Sequence, residues 1–436
     1  MRETPKLEHA KTGNLPSDNR ICIFMSLFAL LCFIAAFLFN TPREIFDGNI
    51  IILTSPANLT TDYFEIANVG ATFMNVSIMT FQAIFMILLG KVKINGLIVA
   101  AVFTLAGFSF FGKNLYNSFP IVIGVYLYSR VVKERFSKHL PVALFGTALG
   151  PLVSEVTFGM ELPLYWGIPL GILAGIVAGY IMPVLAIHFA TFHKGYNLYN
   201  IGFTAGLVGT FFTALFRSFG VVIETVDLVS SGNNLAISIF LYPLFTVILI
   251  LGLKYNNWSF RGYRALLNAT GLQDRDFVER HGFGLTTINI ALLGLFSTTL
   301  VLLLGGELNG PIVGGIFTVI GFGAYGKHMR NVIPIIAGVL IVAWISIHDI
   351  NSTSVLLAAL FGTTLAPVAG VYGPLIGIFT GGIHMLLVTN TSILHAGMNL
   401  YNNGFTGGLV AALLIPLIEK MVESYERRKL KSKRTD

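Results

Sequence analysis

The sequence predicts an all-α protein that crosses a membrane many times and is built from two inverted repeats. Of its 436 residues, 54% are hydrophobic and 11% are charged, whereas a soluble domain carries about 25% charged residues. Apolar runs of about 20 residues, each long enough for a helix to cross a bilayer, recur from Ile21 to Ile418. A motif is also repeated: HKGYNLYNIGFTAGLVG at residue 193 and HAGMNLYNNGFTGGLVA at residue 395 agree at twelve of seventeen positions.

The apolar runs divide into fourteen predicted transmembrane helices. They begin near Ile21, Val69, Ile94, Asn117, Pro141, Pro163, Tyr196, Leu235, Phe283, Asn309, Asn331, Ser354, Pro374 and Met398. Some of these helices are predicted to be broken, and the segments at 141–160 and 354–373 carry Pro and Gly. Treating both as re-entrant hairpins is the alternative, and it leaves twelve crossings.

The distribution of basic residues favours fourteen crossings and sets the orientation. With the N-terminus inside, every Lys and Arg except Arg43, Lys113 and Arg217 falls on the cytoplasmic side, where such residues gather. Twelve crossings would export the basic loop RGYRALLNATGLQDRDFVER. The predicted organisation is a cytoplasmic tail at 1–20, a seven-span repeat at 21–219, an external connector at 220–234, a second repeat at 235–424 with a cytoplasmic loop at 256–282, and a basic cytoplasmic tail at 425–436.

The repeat extends well beyond the motif. GFSFFGKNLYNSFPIVIG at 107–124 aligns with GFGAYGKHMRNVIPIIAG at 321–338, and LFGTALGP at 144–151 aligns with LFGTTLAP at 360–367. Each copy contains seven spans. Because seven is odd, the second copy starts on the opposite side and is predicted to be inverted, a construction that recurs in secondary transporters.

This layout, with its NLYNxGFTxGLV and GKxxxNxxPI strings, resembles an uncharacterised bacterial multi-pass family built from two copies of domain of unknown function 1576. The resemblance covers nearly all of the chain after the first span. It implies a location in the bacterial inner membrane and supplies no substrate. The seven-plus-seven count is also similar to that of the large anion and nucleobase transporter folds, at the level of architecture only.

The repeated motif supplies the candidate binding residues. Amide and hydroxyl groups dense in apolar surroundings need partners, because an unpaired polar group in hydrocarbon is costly. One interpretation is a solute site at two broken helix entries, in which Asn197 and Asn200 approach Asn399 and Asn402. The other is helix packing through small residues and interhelical hydrogen bonds. The predicted substrate-binding residues are Asn197, Tyr199, Asn200, Thr204, Asn399, Tyr401, Asn402 and Thr406.

Three charged residues are the remaining candidates. Lys113 and Lys327 occupy equivalent GKxxxNxxPI positions at predicted span ends, either as cations that attract an anionic solute at the two mouths or as helix caps. Lys327 alone is also explained as a cytoplasmic lysine that reaches the interface. Glu155 is the one acid deep in an apolar span, which predicts ion coupling. The alternatives are a hydrogen bond within the helix bundle and a position nearer the outer surface beside Glu161.

The function predicted is secondary transport of a small polar, possibly anionic, solute by alternating access between the repeats. A passive channel is the first alternative, because YNxGFxxGLV is similar to strings of urea channels, and an intramembrane enzyme or scaffold is the second. No GxxxxGK[ST] loop, acid–base pair or metal-ligand spacing is present, so no ATPase, enzymatic activity, cofactor or metal is expected. The expected partners are membrane lipid and a small solute, not nucleic acid, and a homo-oligomer is among the assemblies left open.

Overall fold

The computed structural model describes residues 18–223, 227–272 and 274–432, and these are almost entirely helical. The helices of the first half are Asp18–Phe39, Pro42–Thr54, Tyr63–Ile66, Val69–Leu89, Gly96–Phe108, Leu115–Val131, Phe136–Gly146, Gly150–Ser154, Leu164–Phe189 and Asn200–Ser218. Those of the second are Asn234–Tyr255, Tyr263–Leu267, Phe277–Leu303, Gly310–Phe322, Met329–Ile345, Thr353–Gly362, Ala366–Tyr372, Pro374–Thr391 and Asn402–Ser432. Short 3₁₀ segments lie at Thr147–Leu149, Thr363–Leu365 and Ser392–His395, a π-turn at Glu155–Gly159, and a two-residue parallel ladder joins Thr60–Thr61 to Asp227–Leu228.

Ten helices in the described part of the chain are long and apolar enough to cross a bilayer. The prediction of an all-α polytopic membrane protein is therefore confirmed. Four of the fourteen predicted spans are shorter: Gly96–Phe108 and Gly310–Phe322 have 13 residues, and Leu115–Val131 and Met329–Ile345 have 17. A 13-residue helix is about 20 Å long, less than the roughly 30 Å of a hydrocarbon core. Fourteen crossings thus stay a prediction, and the tails at 1–17 and 433–436 lie outside the described residues.

The predicted loop at 256–282 is shorter than expected. Helix Phe277–Leu303 begins inside it and kinks at Gly282, whose φ is 79°. The rest of the loop contains one five-residue helix, Tyr263–Leu267.

The two 13-residue helices form the centre of the molecule. Each residue of Gly310–Phe322 is buried, as is each residue of Gly96–Phe108 except Leu97. They lie side by side: a Cβ built on Gly107 would be 2.6 Å from the Gly314 carbonyl oxygen, and one built on Gly321 would be 3.1 Å from that of Ala100. Since the C-terminal part of each helix contacts the N-terminal part of the other, the pair is antiparallel.

An aspartate from the opposite half binds the start of each central helix. Asp276 accepts hydrogen bonds from the backbone N–H of Gly96, at 3.1–3.2 Å, and Asp62 accepts one from that of Gly310. Gly96 and Gly310 are the first residues of the two helices. A carboxylate there satisfies free N–H groups and interacts favourably with the helix dipole. The two halves are therefore joined by a reciprocal pair of helix caps.

The α-helix is interrupted in both proline-bearing segments. The 3₁₀ turns Thr147–Leu149 and Thr363–Leu365 precede Pro151 and Pro367 and interrupt the α-helical hydrogen-bond pattern. Segments entering the repeated motifs contact the carbonyl groups at these breaks. The Leu198 N–H donates to the Thr364 oxygen and the Leu400 N–H to the Ala148 oxygen, each at 3.0 Å. Each broken helix thus pairs with the motif of the other half, so that polar backbone in the interior is satisfied.

Candidate functional site

The two repeated motifs meet at the first turns of helices Asn200–Ser218 and Asn402–Ser432. The Tyr199 and Tyr401 rings lie 5.0 Å apart between centroids, and Phe203 stacks on Phe405 at 6.1 Å. Glycines at the equivalent positions 206 and 408 face these phenylalanines, and a Cβ on either would lie within 2.3 Å of a ring atom. The glycines of the motif therefore permit the close contact between the two copies.

Asn197 and Asn399 reach across this contact. The amide of Asn197 donates to the Gly404 carbonyl at 2.9 Å, and that of Asn399 donates to the Gly202 carbonyl at 3.3 Å. Asn197 Oδ1 also accepts a hydrogen bond from the hydroxyl of Thr364. The equivalent residue in the first repeat is Ala148, which has no hydroxyl. These two asparagines are the members of the predicted set that link the motifs to each other.

Asn200 and Asn402 hold each motif within its own half. Asn200 bonds the His193 ring nitrogen and the Ala186 carbonyl, each at 2.9 Å. Asn402 bonds the His395 ring nitrogen at 3.0 Å and the Val388 carbonyl at 3.2 Å. The hydroxyls of Thr204 and Thr406 donate to the carbonyls of these same asparagines.

The two helices that start at this contact run to opposite ends of the molecule. Near the end of Asn200–Ser218, Arg217 donates to the Ile393 carbonyl. Seventeen residues into the other helix, Glu419 forms an ion pair with Lys194. Each stretch of seventeen helical residues covers about 25 Å. The loop that contains Lys194 and the loop that contains Ile393 therefore lie on opposite sides of the motif contact.

A cavity opens beside each of these loops. The first, of about 440 Å³, lies beside Lys194, and the second, of about 540 Å³, lies beside Ile393. Their walls are built from equivalent residues of the two repeats. The first is lined by Phe145, Ala190, Gly195, Leu198, Asn200 and Tyr325, and the second by Phe361, Ser392, Gly397, Leu400, Asn402 and Phe111.

The cavities differ in depth and charge. The first reaches both Tyr199 and Tyr401, whereas neither tyrosine lines the second. Arg275 and Lys194 line the first, and none of its described lining residues is Asp or Glu. Burial lowers the pKa of His193, a further lining residue, so its ring is neutral at pH 7. Because Lys194 is paired with Glu419, Arg275 is the basic lining residue that supplies unpaired positive charge to this cavity.

Lys113 and Lys327 are both completely buried. This corrects the interpretation of Lys327 as a lysine that reaches the interface, whereas the alternatives of solute attraction and of helix capping stay predictions. Each ammonium lies over a phenylalanine of its own half, Lys113 at 5.1 Å from the Phe108 ring centroid and Lys327 at 5.3 Å from that of Phe322. Both lie at the breaks that end the central helices.

The two lysines differ in their hydrogen bonds. Lys327 Nζ donates to the hydroxyls of Tyr199 and Thr363 and lies 4.4 Å from the Tyr199 ring centroid. Lys113 Nζ has no hydrogen-bond partner among the described residues, and neither does the hydroxyl of Tyr401, the counterpart of Tyr199. The site is thus symmetric in residue type and asymmetric in bonding.

Glu155 lies apart from the motif contact. It is buried in the π-turn Glu155–Gly159 at the end of its segment, and Pro56 of the loop before the second span packs beside Gly159 there. It lines neither of the two cavities. Its side chain is only 5% exposed, and a role in ion coupling stays a prediction.

Several residues that build the site were not predicted. Asp62 and Asp276 lie at the same offset of 214 as the two lysines, so the repeat alignment held the signal. Thr363 and Thr364 lie in the LFGTTLAP string, which the repeat alignment identifies, but the alignment does not show that their hydroxyls form part of the site. No sequence signal distinguishes Arg275, the cavity cation, from the other basic residues of its loop.

The fold and site define a class: a polytopic helical membrane protein with two related halves around a buried polar centre. The chain belongs to the family described as Protein of unknown function (DUF1576), whose model matches residues 41–218 and 255–420. These two matches confirm the prediction of two copies of one domain. No curated protein and no solved structure matches the chain.

Proposed function

We propose that the protein is a secondary transporter that moves a small polar solute by alternating access between two inverted repeats. The observation that supports this most directly is the pair of equivalent cavities on opposite sides of the motif contact. In such a transporter the solute site lies where the repeats meet, and one half or the other opens it to each side. Asn200 and Asn402, which line one cavity each, are the proposed contacts for solute at the two entrances.

The inverted arrangement is supported by contacts that come in reciprocal pairs. Asp62 caps the central helix of the other half as Asp276 does, and Asn197 bonds the other motif as Asn399 does. Reciprocal pairs of this kind are what a two-fold axis through the middle of the molecule would generate. An axis in the membrane plane also agrees with seven spans in each repeat.

The depth of the first cavity indicates which state the structure represents. It lies beside Lys194 and Arg275, which the distribution of basic residues assigns to the cytoplasm. This is a cytoplasm-facing state, and the Lys327–Tyr199 bond belongs to it. In the outward-facing state the halves exchange conformations, and the equivalent bond joins Lys113 to Tyr401.

The experiment measures access to both cavities after that bond is broken. Ala190 and Ser392 are equivalent, small and partly exposed lining residues, so a single cysteine at either is a conservative reporter. Replacing Cys22 and Cys32 by Ala provides the background. Reaction with an impermeant thiol reagent is followed in vesicles of both orientations, with and without Lys327→Met.

Removing an interaction that is present in only one of two conformations shifts the equilibrium toward the other conformation, even without a ligand. We expect Lys327→Met to slow labelling at position 190 and to accelerate it at position 392. Tyr199→Phe, which removes only one oxygen atom, should change both rates in the same directions as Lys327→Met. Rates that do not change, or that change in the same direction, would exclude alternating access. Labelling at both positions at once, insensitive to either variant, would instead favour the channel alternative.

A further inference from the structure

Lys113 is a buried lysine whose Nζ makes no hydrogen bond to a described residue. Its side chain is 0% exposed, its Nζ has no hydrogen-bond partner in the described chain, and no described carboxylate forms an ion pair with it. An isolated charge in an apolar interior is strongly unfavourable. At the equivalent position in the second repeat, Lys327 donates hydrogen bonds to a tyrosine and a threonine hydroxyl.

Two hydroxyl groups next to Phe108, those of Tyr401 and Thr104, are likewise without a hydrogen-bond partner among the described residues. Tyr401 packs edge-on against Phe108, the ring over which Lys113 Nζ lies, at 4.6 Å between centroids. Its hydroxyl lies beside Thr104, outside hydrogen-bonding geometry, and neither hydroxyl has a partner among the described residues. Three buried donors, one of them cationic, thus collect around one phenylalanine of a central helix.

The geometry points to a site at which Lys113 Nζ, Tyr401 Oη and Thr104 Oγ1 together bind a small oxyanion, a carboxylate or an inorganic oxyanion. An oxyanion supplies the negative charge and the acceptor lone pairs that this donor set lacks. A neutral or cationic solute would leave the ammonium without a counter-charge. The inference rests on the proposed function in one respect, since it names the class of solute that the transporter carries.

The first cavity reaches one member of this donor set, Tyr401, although neither Lys113 nor Thr104 lines it. Arg275 lines this cavity and forms no ion pair with a described carboxylate, whereas Lys194, the other basic lining residue, is paired with Glu419. Cations along a cavity with low-dielectric walls raise the local concentration of anions. Binding then draws the Tyr401 hydroxyl toward Lys113, the arrangement that Tyr199 and Lys327 already have, and so couples the anion to the exchange of halves.

The test is binding to the purified full-length protein, measured by calorimetry and by the shift in apparent Tm. The probes are the sodium salts of formate, acetate, nitrate, sulfate and phosphate, with formamide and acetamide as neutral analogues of the carboxylates. We expect saturable binding of at least one anion and of neither amide. Binding of formate or acetate alone would identify a carboxylate site, and binding of nitrate, sulfate or phosphate an inorganic oxyanion site.

Variants assign the binding to this cluster. Lys113→Met should abolish it, and Tyr401→Phe, which removes one oxygen, should weaken it at least about tenfold, because hydrogen bonds to charged groups are among the strong ones. Tyr242→Phe is the matched control, since it removes a tyrosine hydroxyl that contacts Thr299 elsewhere in the protein. If Lys113→Met fails to fold, Tyr401→Phe decides.

Absence of binding by every probe, equal binding of an amide, or an affinity unchanged by Tyr401→Phe would overturn the site. These results are independent of cavity labelling. If labelling rates at positions 190 and 392 change in opposite directions but no anion binds, only the proposed anion site is rejected. If an anion binds but the two labelling rates do not change in opposite directions, only alternating access is rejected.

Discussion

At the scale of single residues, the protein buries two equivalent lysines and satisfies only one of them. Lys327 donates to Tyr199 and Thr363, whereas Lys113 donates to no described residue. The difference arises in the tyrosine and threonine partners, because both ammonium groups lie at nearly the same distance from the phenylalanine of their own half. In this structure, one of the two equivalent interactions is formed and the other is not.

This asymmetry predicts different stabilities for two equivalent substitutions. Lys327→Met removes two hydrogen bonds and leaves the Tyr199 hydroxyl buried without its donor, so we expect a loss of roughly 1–3 kcal/mol. Lys113→Met removes no bond and eliminates a buried charge, so we expect an apparent Tm equal to or above that of the wild type. Thermal unfolding of both variants in one detergent, without added anions, provides the comparison. An equal loss in both would contradict the asymmetry.

The asparagines at the motif contact offer a second comparison. Asn197→Ala removes a 2.9 Å bond to Gly404 and the acceptor of the Thr364 hydroxyl, whereas Asn399→Ala removes a longer, 3.3 Å bond and faces no equivalent hydroxyl. A loss of roughly 0.6–2 kcal/mol is expected for each interhelical bond in a membrane. Asn197→Ala should therefore lower the apparent Tm further. Asn390→Ala, whose bonds are local to its helix, is the control.

At the scale of elements, the structure depends on close contact between the two 13-residue helices Gly96–Phe108 and Gly310–Phe322. Both are buried along nearly their whole length, so neither has a face for lipid. Glycines bring the two backbones together, and the aspartates of opposite halves cap their starts. The helices thus function as a shared core around which the longer, lipid-facing helices are arranged.

A glycine in this core should resist substitution. In Gly107→Ala the new Cβ would lie 2.6 Å from the Gly314 carbonyl oxygen, so the backbones must separate, at a cost of roughly 1–3 kcal/mol. In Gly146→Ala the nearest atom is the flexible end of Met182 at 3.4 Å, and we expect an unchanged or higher apparent Tm. Similar values for the two alanine variants would show that the central helices are not packed this closely.

At the scale of the whole molecule, the proposed inversion requires that equivalent loops lie on opposite sides of the membrane. The first cavity and the loop around Arg261 should face the cytoplasm, and the second cavity and the connector before Asn234 should face outward. Basic residues on the inner side retain that orientation. The reciprocal contacts at the motifs and central helices then lie near the membrane midplane.

Labelling of single cysteines tests this orientation. Arg261 and Ser231 are both exposed, one on each predicted side. In the background without Cys22 and Cys32, Ser231→Cys should react with an impermeant reagent applied to intact cells. Arg261→Cys should react only after the membrane is opened. The reverse pattern, or reaction of both in intact cells, would contradict the inverted topology.

The sequence by itself determined the class of the protein and its duplication. Apolar runs and sparse charge leave a helical membrane protein as the solution, since backbone polar groups must be satisfied within each segment. Repetition of Gly, Asn and Pro at fixed offsets identified the repeated motifs. These residues affect the local backbone conformation, so their positions are informative in the sequence alone.

Only the tertiary structure decided which polar groups meet. The spans are apolar on all sides, so periodicity does not fix how each helix is rotated or how deeply it is buried. For this reason the loop-charge rule placed Lys113 and Lys327 at membrane edges, although both lie inside the protein over phenylalanines. The partners of Lys327, the free donors around Lys113 and the two cavities all depend on contacts between residues more than 30 positions apart. Such contacts are set by packing of the whole chain, and local sequence carries no record of them.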